Sequence, residues 1–231
     1  MLATTAAASP GRAHRSQEYQ DAIIRAWREK NPSQQEHPLY YDTVYDLWRA
    51  VDYLGSRSDV DPTRIGTFGF SMGGIKAWLA AGTDERIRVV VIALAAQSFQ
   101  WNLEHDAWQG RARTLWRAHE AAAKDLGEAE VNAKVCRALW NKVTPGILDE
   151  FNCLKMLSAI APRRLLILNR EDDVNAPLEG AKLAFAAAQD AYKKARAEDH
   201  LKIDVAPGSD HNTTPEQEKL AYAWLERCLK P

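Results

Sequence analysis

Apolar residues along this chain gather into short continuous runs and into stripes at helical spacing, and the two kinds of segment alternate. The run beginning at Ile65, the run Arg88 to Ala95, Arg164 to Asn169 and Leu201 to Val205 read as strands. The second is apolar nearly throughout, the pattern of a strand covered on both faces. Helices are predicted over Ser16 to Lys30, Tyr41 to Ser56, Gly180 to Ala197 and Pro215 to Leu229. In the second of these Val44, Leu47, Trp48, Val51 and Leu54 recur at helical spacing and form a core-facing stripe. After Ser71, Ile75 to Ala81 reads as a further helix ended by Gly82. Strands separated by helices predict an α/β fold with a parallel sheet flanked by helices. No internal repeat or low-complexity tract interrupts the order.

Composition adds bounds. A chain of 231 residues that is 46% hydrophobic can bury one sizeable core, and a net charge of -1 gives no electrostatic case for nucleic acid or an anionic membrane. The longest apolar run, Val89 to Ala96, has strand length and is far too short to span a bilayer. Cys136, Cys153 and Cys228 are odd in number and widely spaced, which fits neither a disulfide framework nor a zinc site and suits a reducing compartment. Alternating charges and alanines from Arg111 to Lys142 read as a solvated helical pair, and the interspersed acids argue against a nucleic-acid surface. Met1 to Gln17 contains no acid, is rich in Ala, Ser and Thr, and carries Arg12 and Arg15. That is the composition of a ragged end or of an organellar transit peptide, so a cytoplasmic location is expected, with plastid or mitochondrion as the alternative. Residues 1–16 are expected to be a disordered or non-native segment, and 17–231 a single domain.

The candidate chemistry lies in Ile65-Gly66-Thr67-Phe68-Gly69-Phe70-Ser71-Met72-Gly73-Gly74. A serine at the centre of GxSxG, after a strand and before a helix, is the pattern of a nucleophile elbow, where glycines allow a sharp turn that exposes the hydroxyl. A serine hydroxyl becomes a useful nucleophile only when a histidine takes its proton and a carboxylate orients that histidine. In an open parallel sheet such groups belong on loops beyond the carboxyl ends of strands. The loop after Asn169 carries Glu171, Asp172 and Asp173, and the loop after Val205 carries His211. His200 precedes that last strand and belongs to the opposite edge. The chain order is Ser, acid, His, with the choice among the three acids open on this reading.

Tyr40 to Val44, Val60 to Gly66, the elbow Gly69 to Gly74, Asp173 to Pro177 and Gly208 to His211 together resemble the α/β-hydrolase superfamily, its dienelactone-hydrolase-like and prolyl-oligopeptidase-like branches above all. The resemblance covers nearly everything from Gln17 onward. It implies Ser71 as nucleophile, Asp173 as the acid in preference to Asp172, because the family's acid stands a few residues before a proline, and His211 as base. It also implies the backbone amide of Met72 as an oxyanion donor, a helical cap inserted at about residues 97–161, and no cofactor or metal. Aromatics in the cap, Trp101 and Trp108 among them, would line a substrate pocket or pack the cap onto the sheet. Members are mostly esterases, lipases, thioesterases or peptidases, so the expected partner is a small-molecule ester.

The chain departs from the family in showing no strand before Ile65, so the fold is expected in an N-terminally truncated form. The loop that normally completes the oxyanion hole is missing with those strands. An open edge on the elbow strand is then expected to aggregate or pair with another chain. An alternative transcript or incomplete gene, a homo-oligomer through that edge, or cover by the amino-terminal helices would each account for it. The expected function is a serine hydrolase of carboxylic esters working through an acyl-enzyme. The alternatives are a catalytically impaired binding or regulatory protein and a serine peptidase of prolyl-oligopeptidase type.

Overall fold

The protein is described by a computed structural model over residues 17–230. The expectations for residues 1–16, a non-native segment or a transit peptide, lie outside the described residues.

Four strands form one parallel sheet in sequential order: β1 (Ile65–Phe70), β2 (Ile87–Ala93), β3 (Arg164–Arg170) and β4 (Leu201–Ala206). They coincide within a residue or two with the strands read from the sequence. Side chains alternate between the two faces, as the pleat requires. Val89, Val91, Leu166 and Leu168 pack against Ala221 and Trp224 of α10 (Pro215–Leu229) on one face. On the other, Val90, Ile92, Leu165 and Ile167 join the main core. That core is built with α3 (Met72–Thr83), α8 (Cys153–Ile160) and α9 (Leu178–Lys194). Because both faces of β2 and β3 are covered, their sequences are apolar runs rather than alternations.

Two further helices precede the sheet, α1 (Gln17–Arg28) and α2 (Tyr41–Ser56). The predicted stripe of α2 faces inward: Val44 and Val51 are buried, and Leu47, Trp48 and Leu54 pack against the core. α2 lies against α3, while α1 lies against the helices of the 97–161 segment, so neither contributes a strand to the sheet. Among the described residues β1 is hydrogen-bonded to β2 alone.

α10 begins with a capping box. Thr214 Oγ1 accepts from Gln217 N at 3.1 Å and Gln217 Oε1 accepts from Thr214 N at 3.2 Å, with Pro215 in the first turn where its missing N–H costs nothing. The Gln217 amide also donates to Asn169 O at 2.9 Å, which ties this helix start to the end of β3. Gly82 does not end α3 as expected. It sits inside the helix where Met156 presses close, a Cβ at this position falling 3.0 Å from Met156 Sδ, so its smallness serves packing between α3 and α8.

Between β2 and β3 lie α4 (Phe99–Glu104), α5 (Gln109–Arg113), α6 (Trp116–Leu126), α7 (Ala133–Val143) and α8. The solvated helical pair expected over Arg111 to Lys142 is instead half core, with Arg111, His119, Leu139 and Trp140 all buried. His119 shows the consequence. Its Nδ1 lies 2.9 Å from Leu115 O and its Nε2 accepts from Trp140 Nε1 at 3.0 Å, so its partners require the neutral ring with the proton on Nδ1. Burial accordingly pushes its pKa down to about 4.

A histidine whose folded pKa lies below its unfolded value of 6.5 contributes stability that is present above pH 6.5 and is lost as pH falls toward 4. At about 1.4 kcal/mol per pH unit, that loss approaches about 3 kcal/mol. Urea unfolding of the wild type and of His119→Gln across this range should show a stability difference that shrinks as pH falls. A difference independent of pH would contradict the assignment.

Candidate active site

The site is assembled where the strands end. β1 runs straight into Ser71, and α3 begins at the next residue. Ser71 has φ 50° and ψ -119°, a left-handed φ that a side-chain-bearing residue holds only where its surroundings impose it. Here they do so from both sides. Ser71 N donates to Ala93 O at 2.8 Å, and Ser71 O accepts from Gly74 N at 2.9 Å and Ile75 N at 3.1 Å. Close approach of helix to strand accounts for the glycines: a Cβ at position 69 would fall 2.3 Å from Gly73 O, and one at position 74 would fall 2.4 Å from Ala95 Cβ.

The next two loops bring the other groups. The loop after β3 carries Asp173, and the loop after β4 carries His211. His211 Nε2 lies 2.6 Å from Ser71 Oγ, and His211 Nδ1 lies 2.6 Å from Asp173 Oδ2. With the carboxylate accepting from Nδ1–H, the Nε2 lone pair faces the serine hydroxyl. The other oxygen, Asp173 Oδ1, accepts from Asn175 N at 2.8 Å. The side chain of Asp173 is fully buried, whereas Glu171 and Asp172 are exposed. The geometry therefore separates the acids that the sequence left adjacent. Backbone bonds hold the two loops together: Glu171 N donates to Ala206 O at 3.0 Å and Asp172 N to Gly208 O at 3.1 Å.

Several residues around these three were not legible in the sequence. Arg170, the last residue of β3, pairs with Asp210 and donates to Asn212 O at 3.3 Å, so one guanidinium grips the residues on either side of His211. Asn169 donates to Ala176 O at 3.2 Å and holds the far end of the acid loop. Phe70 packs on the His211 ring with centroids 5.4 Å apart. None of these has a local pattern that would mark it. The one available signal for Arg170 and Asn169 is their position at the end of the strand that leads into the acid loop.

Met72 supplies the first N–H of α3, which has no acceptor within the helix and lies at its positive end. The Ser71 N–H is already committed to Ala93 O. Trp101 stacks on His105 with ring centroids 4.4 Å apart and lines a cleft of about 740 Å³ walled by the acid loop, Asp172 and Asp173 included, with Arg113 and Lys182. Neither Ser71 nor His211 lines that cleft. Trp108 lies in the core and donates to Asp106 Oδ1 at 2.8 Å. Burial pushes the thiols of Cys136 and Cys153 up to about 12, which leaves both as unreactive thiols at neutral pH. Among the described residues no group of His, Cys, Asp and Glu is arranged to hold a metal ion, and no helix is long and apolar enough to cross a membrane.

A parallel sheet covered by helices on both faces, with a strand–serine–helix elbow at its carboxyl edge, is the α/β-hydrolase fold, and this chain has it. The same fold recurs in solved esterases. Acetyl xylan esterase 1 from Thermoanaerobacterium sp. superposes with a TM-score of 0.61 at 17% identity, covering 90% of this chain and 58% of that one. A glucuronoyl esterase from Solibacter usitatus superposes with a TM-score of 0.58 at 16% identity, covering 90% and 54%. The chain spans little more than half the length of either esterase. In sequence, it is similar to the putative hydrolase YtaP of Bacillus subtilis, with 58% identity over 48 residues, 21% of this chain and 16% of that protein. No family model matches the chain.

Adding a methyl group at the elbow tests how tightly it is packed. Gly74→Ala places a Cβ 2.4 Å from Ala95 Cβ and 2.9 Å from Gly69 O, so helix and strand must part. The expected loss is about 1–3 kcal/mol in urea denaturation. An unchanged midpoint would show that the elbow is not close-packed.

Proposed function

We propose that this chain hydrolyses carboxylic esters, with Ser71 as nucleophile, His211 as general base and acid, and Asp173 as the group that orients and stabilises the imidazolium. The observation that carries this reading is the continuous chain Ser71 Oγ, His211, Asp173, with 2.6 Å at each step. Ser71 Oγ attacks the ester carbonyl as its proton passes to His211 Nε2, and the carbonyl oxygen becomes an oxyanion. The Met72 N–H at the start of α3 faces that developing charge with a partial positive charge. Collapse of the tetrahedral species breaks the bond to the alcohol, which leaves with the proton from Nε2. Water then attacks the acyl-serine, giving its proton to Nε2, and the carboxylic acid departs as Ser71 recovers its proton. The solved structures of like fold are named for acetyl xylan and glucuronoyl ester hydrolysis. An ester borne on a carbohydrate is accordingly the substrate class we propose to try first.

A second reading has one observation in its favour. β1 is paired on one side alone among the described residues, and Phe68 and Phe70 on it are 38% and 42% exposed. That edge suits a binding protein that has lost turnover and pairs with a partner strand. Size-exclusion chromatography with a turnover assay separates the two, since a monodisperse monomer that turns over excludes the second.

A fluorophosphonate probe should label Ser71 in the wild type and leave Ser71→Ala unlabelled. Asp173→Asn should lower kcat on a p-nitrophenyl ester by about 10⁴-fold with the fold intact, because the imidazole would then present the wrong tautomer. A prolyl p-nitroanilide run alongside tests peptidase activity. A folded sample that fails to label overturns the proposal.

A further inference from the structure

Arg111, on α5, is only 2% exposed, and the groups it bonds are all neutral. Its Nη2 donates to Asn175 O at 3.0 Å. With the Gln97 amide turned so that its oxygen faces the guanidinium, that oxygen accepts from Nε at 3.2 Å and from Nη2 at 3.1 Å. The Tyr40 hydroxyl oxygen faces the guanidinium as an acceptor: burial pushes the phenol pKa up, and the neighbouring Arg111 charge and hydrogen bond oppose that rise. Tyr40 reaches this place through a strained turn with φ 68° and ψ -55°, in which Tyr41 N donates to Leu39 O at 3.0 Å. The remaining nitrogen, Nη1, has no partner among the described residues. A guanidinium buried without a carboxylate beside it is expensive, and strain spent to keep it hydrogen-bonded calls for a reason.

The reason lies in the acid loop itself, at Asn175. Asn175 links two buried charges, its N–H bonding Asp173 Oδ1 at 2.8 Å and its carbonyl accepting from Arg111. Beside this contact α5 lies flush against the same loop, since a Cβ on Gly110 would fall 2.2 Å from Val174 O. We infer that Arg111 is a positioning residue, which clamps the acid loop through Asn175, thereby fixing the Asp173 carboxylate on His211. It touches no reacting atom. The role makes the 97–161 segment part of what aligns the serine, histidine and aspartate.

Arg111→Met removes the charge and the fork while keeping an unbranched apolar stem, and Arg111→Lys keeps the charge but not the fork. For Arg111→Met, kcat on a p-nitrophenyl ester and the rate of fluorophosphonate labelling should fall about 10–100-fold while KM stays within about twofold, since the carboxylate is misplaced rather than the ester. Arg111→Lys should recover part of the loss. The far-downfield proton resonance of His211 Nδ1–H should shift or broaden in the same order. Gly110→Ala, which pushes α5 off Val174 O, should produce the same kinetic and spectroscopic change and reads the clamp if Arg111→Met fails to fold. A folded variant with wild-type kcat and an unmoved resonance overturns the inference, as does a loss confined to thermal stability. The kinetic arm rests on the ester-hydrolase reading. The resonance does not, so an inert wild type would sink that reading while this one is still decided.

Discussion

A carboxylate with no exposed surface is the constraint around which this structure is arranged. The Asp173 side chain is wholly buried, and an ionised carboxyl in that position costs several kcal/mol unless hydrogen bonds and opposite charge replace the lost water. One oxygen meets the Asn175 N–H and the other meets His211. Those two bonds dictate the rest of the neighbourhood. The loop must turn tightly enough to bring its own amide back onto the carboxylate, so Asn169 holds its far end at Ala176. The histidine loop must sit in register with it, and the bonds from Glu171 N and Asp172 N to Ala206 and Gly208 provide that register. Arg170 then grips both neighbours of the imidazole. Satisfying one acid therefore orders two loops, and the imidazole is left with Nε2 directed at Ser71.

The sheet supplies the frame for this. Parallel strands of sequential order end at the same edge, so successive loops from β1, β3 and β4 emerge side by side and their side chains can converge. β2 contributes through its backbone. Ala93 O accepts from Ser71 N, and Ala95 lies against Gly74, so the end of this strand locates the elbow although it bears none of the three groups. Helices on both faces keep the strands dry and the edge rigid. The segment between β2 and β3 belongs to that construction. It fills its own core with His119 and Trp140 and meets the acid loop directly at Gly110 and Arg111.

Much of the framework was legible because its elements announce themselves locally. β2 and β3 read as strands because burial on both faces requires unbroken apolar runs, and α2 and α10 read to their residue limits because the first carries a clear stripe and the second starts at a Thr-Pro cap. Gly82 misled for a physical reason. Glycine both ends helices and admits close neighbours, and only the position of Met156 shows which use applies. Arg111 to Lys142 misled in a similar way. Alternating charges describe the wet face of an amphipathic helix, while the alanines, His119 and Trp140 between them describe a dry face that depends on what packs there.

Within the candidate site the division is equally clear. Ser71 could be read from its own neighbours, since the glycines, the preceding strand and the following helix are all within a few residues of it. Asp173 and His211 could be placed on the proper loops by chain order and by resemblance. The choice of which acid turns inward, the grip of Arg170 on the histidine loop and the reach of Arg111 to Asn175 were decided by tertiary structure alone. His211 meets Ser71 across 140 positions of sequence, and Arg111 meets Asn175 across 64. No local period or turn preference encodes such a meeting. The hydrophobic pattern determines which segments are strands and helices, and only their packing determines which polar groups are stripped of water and must find one another.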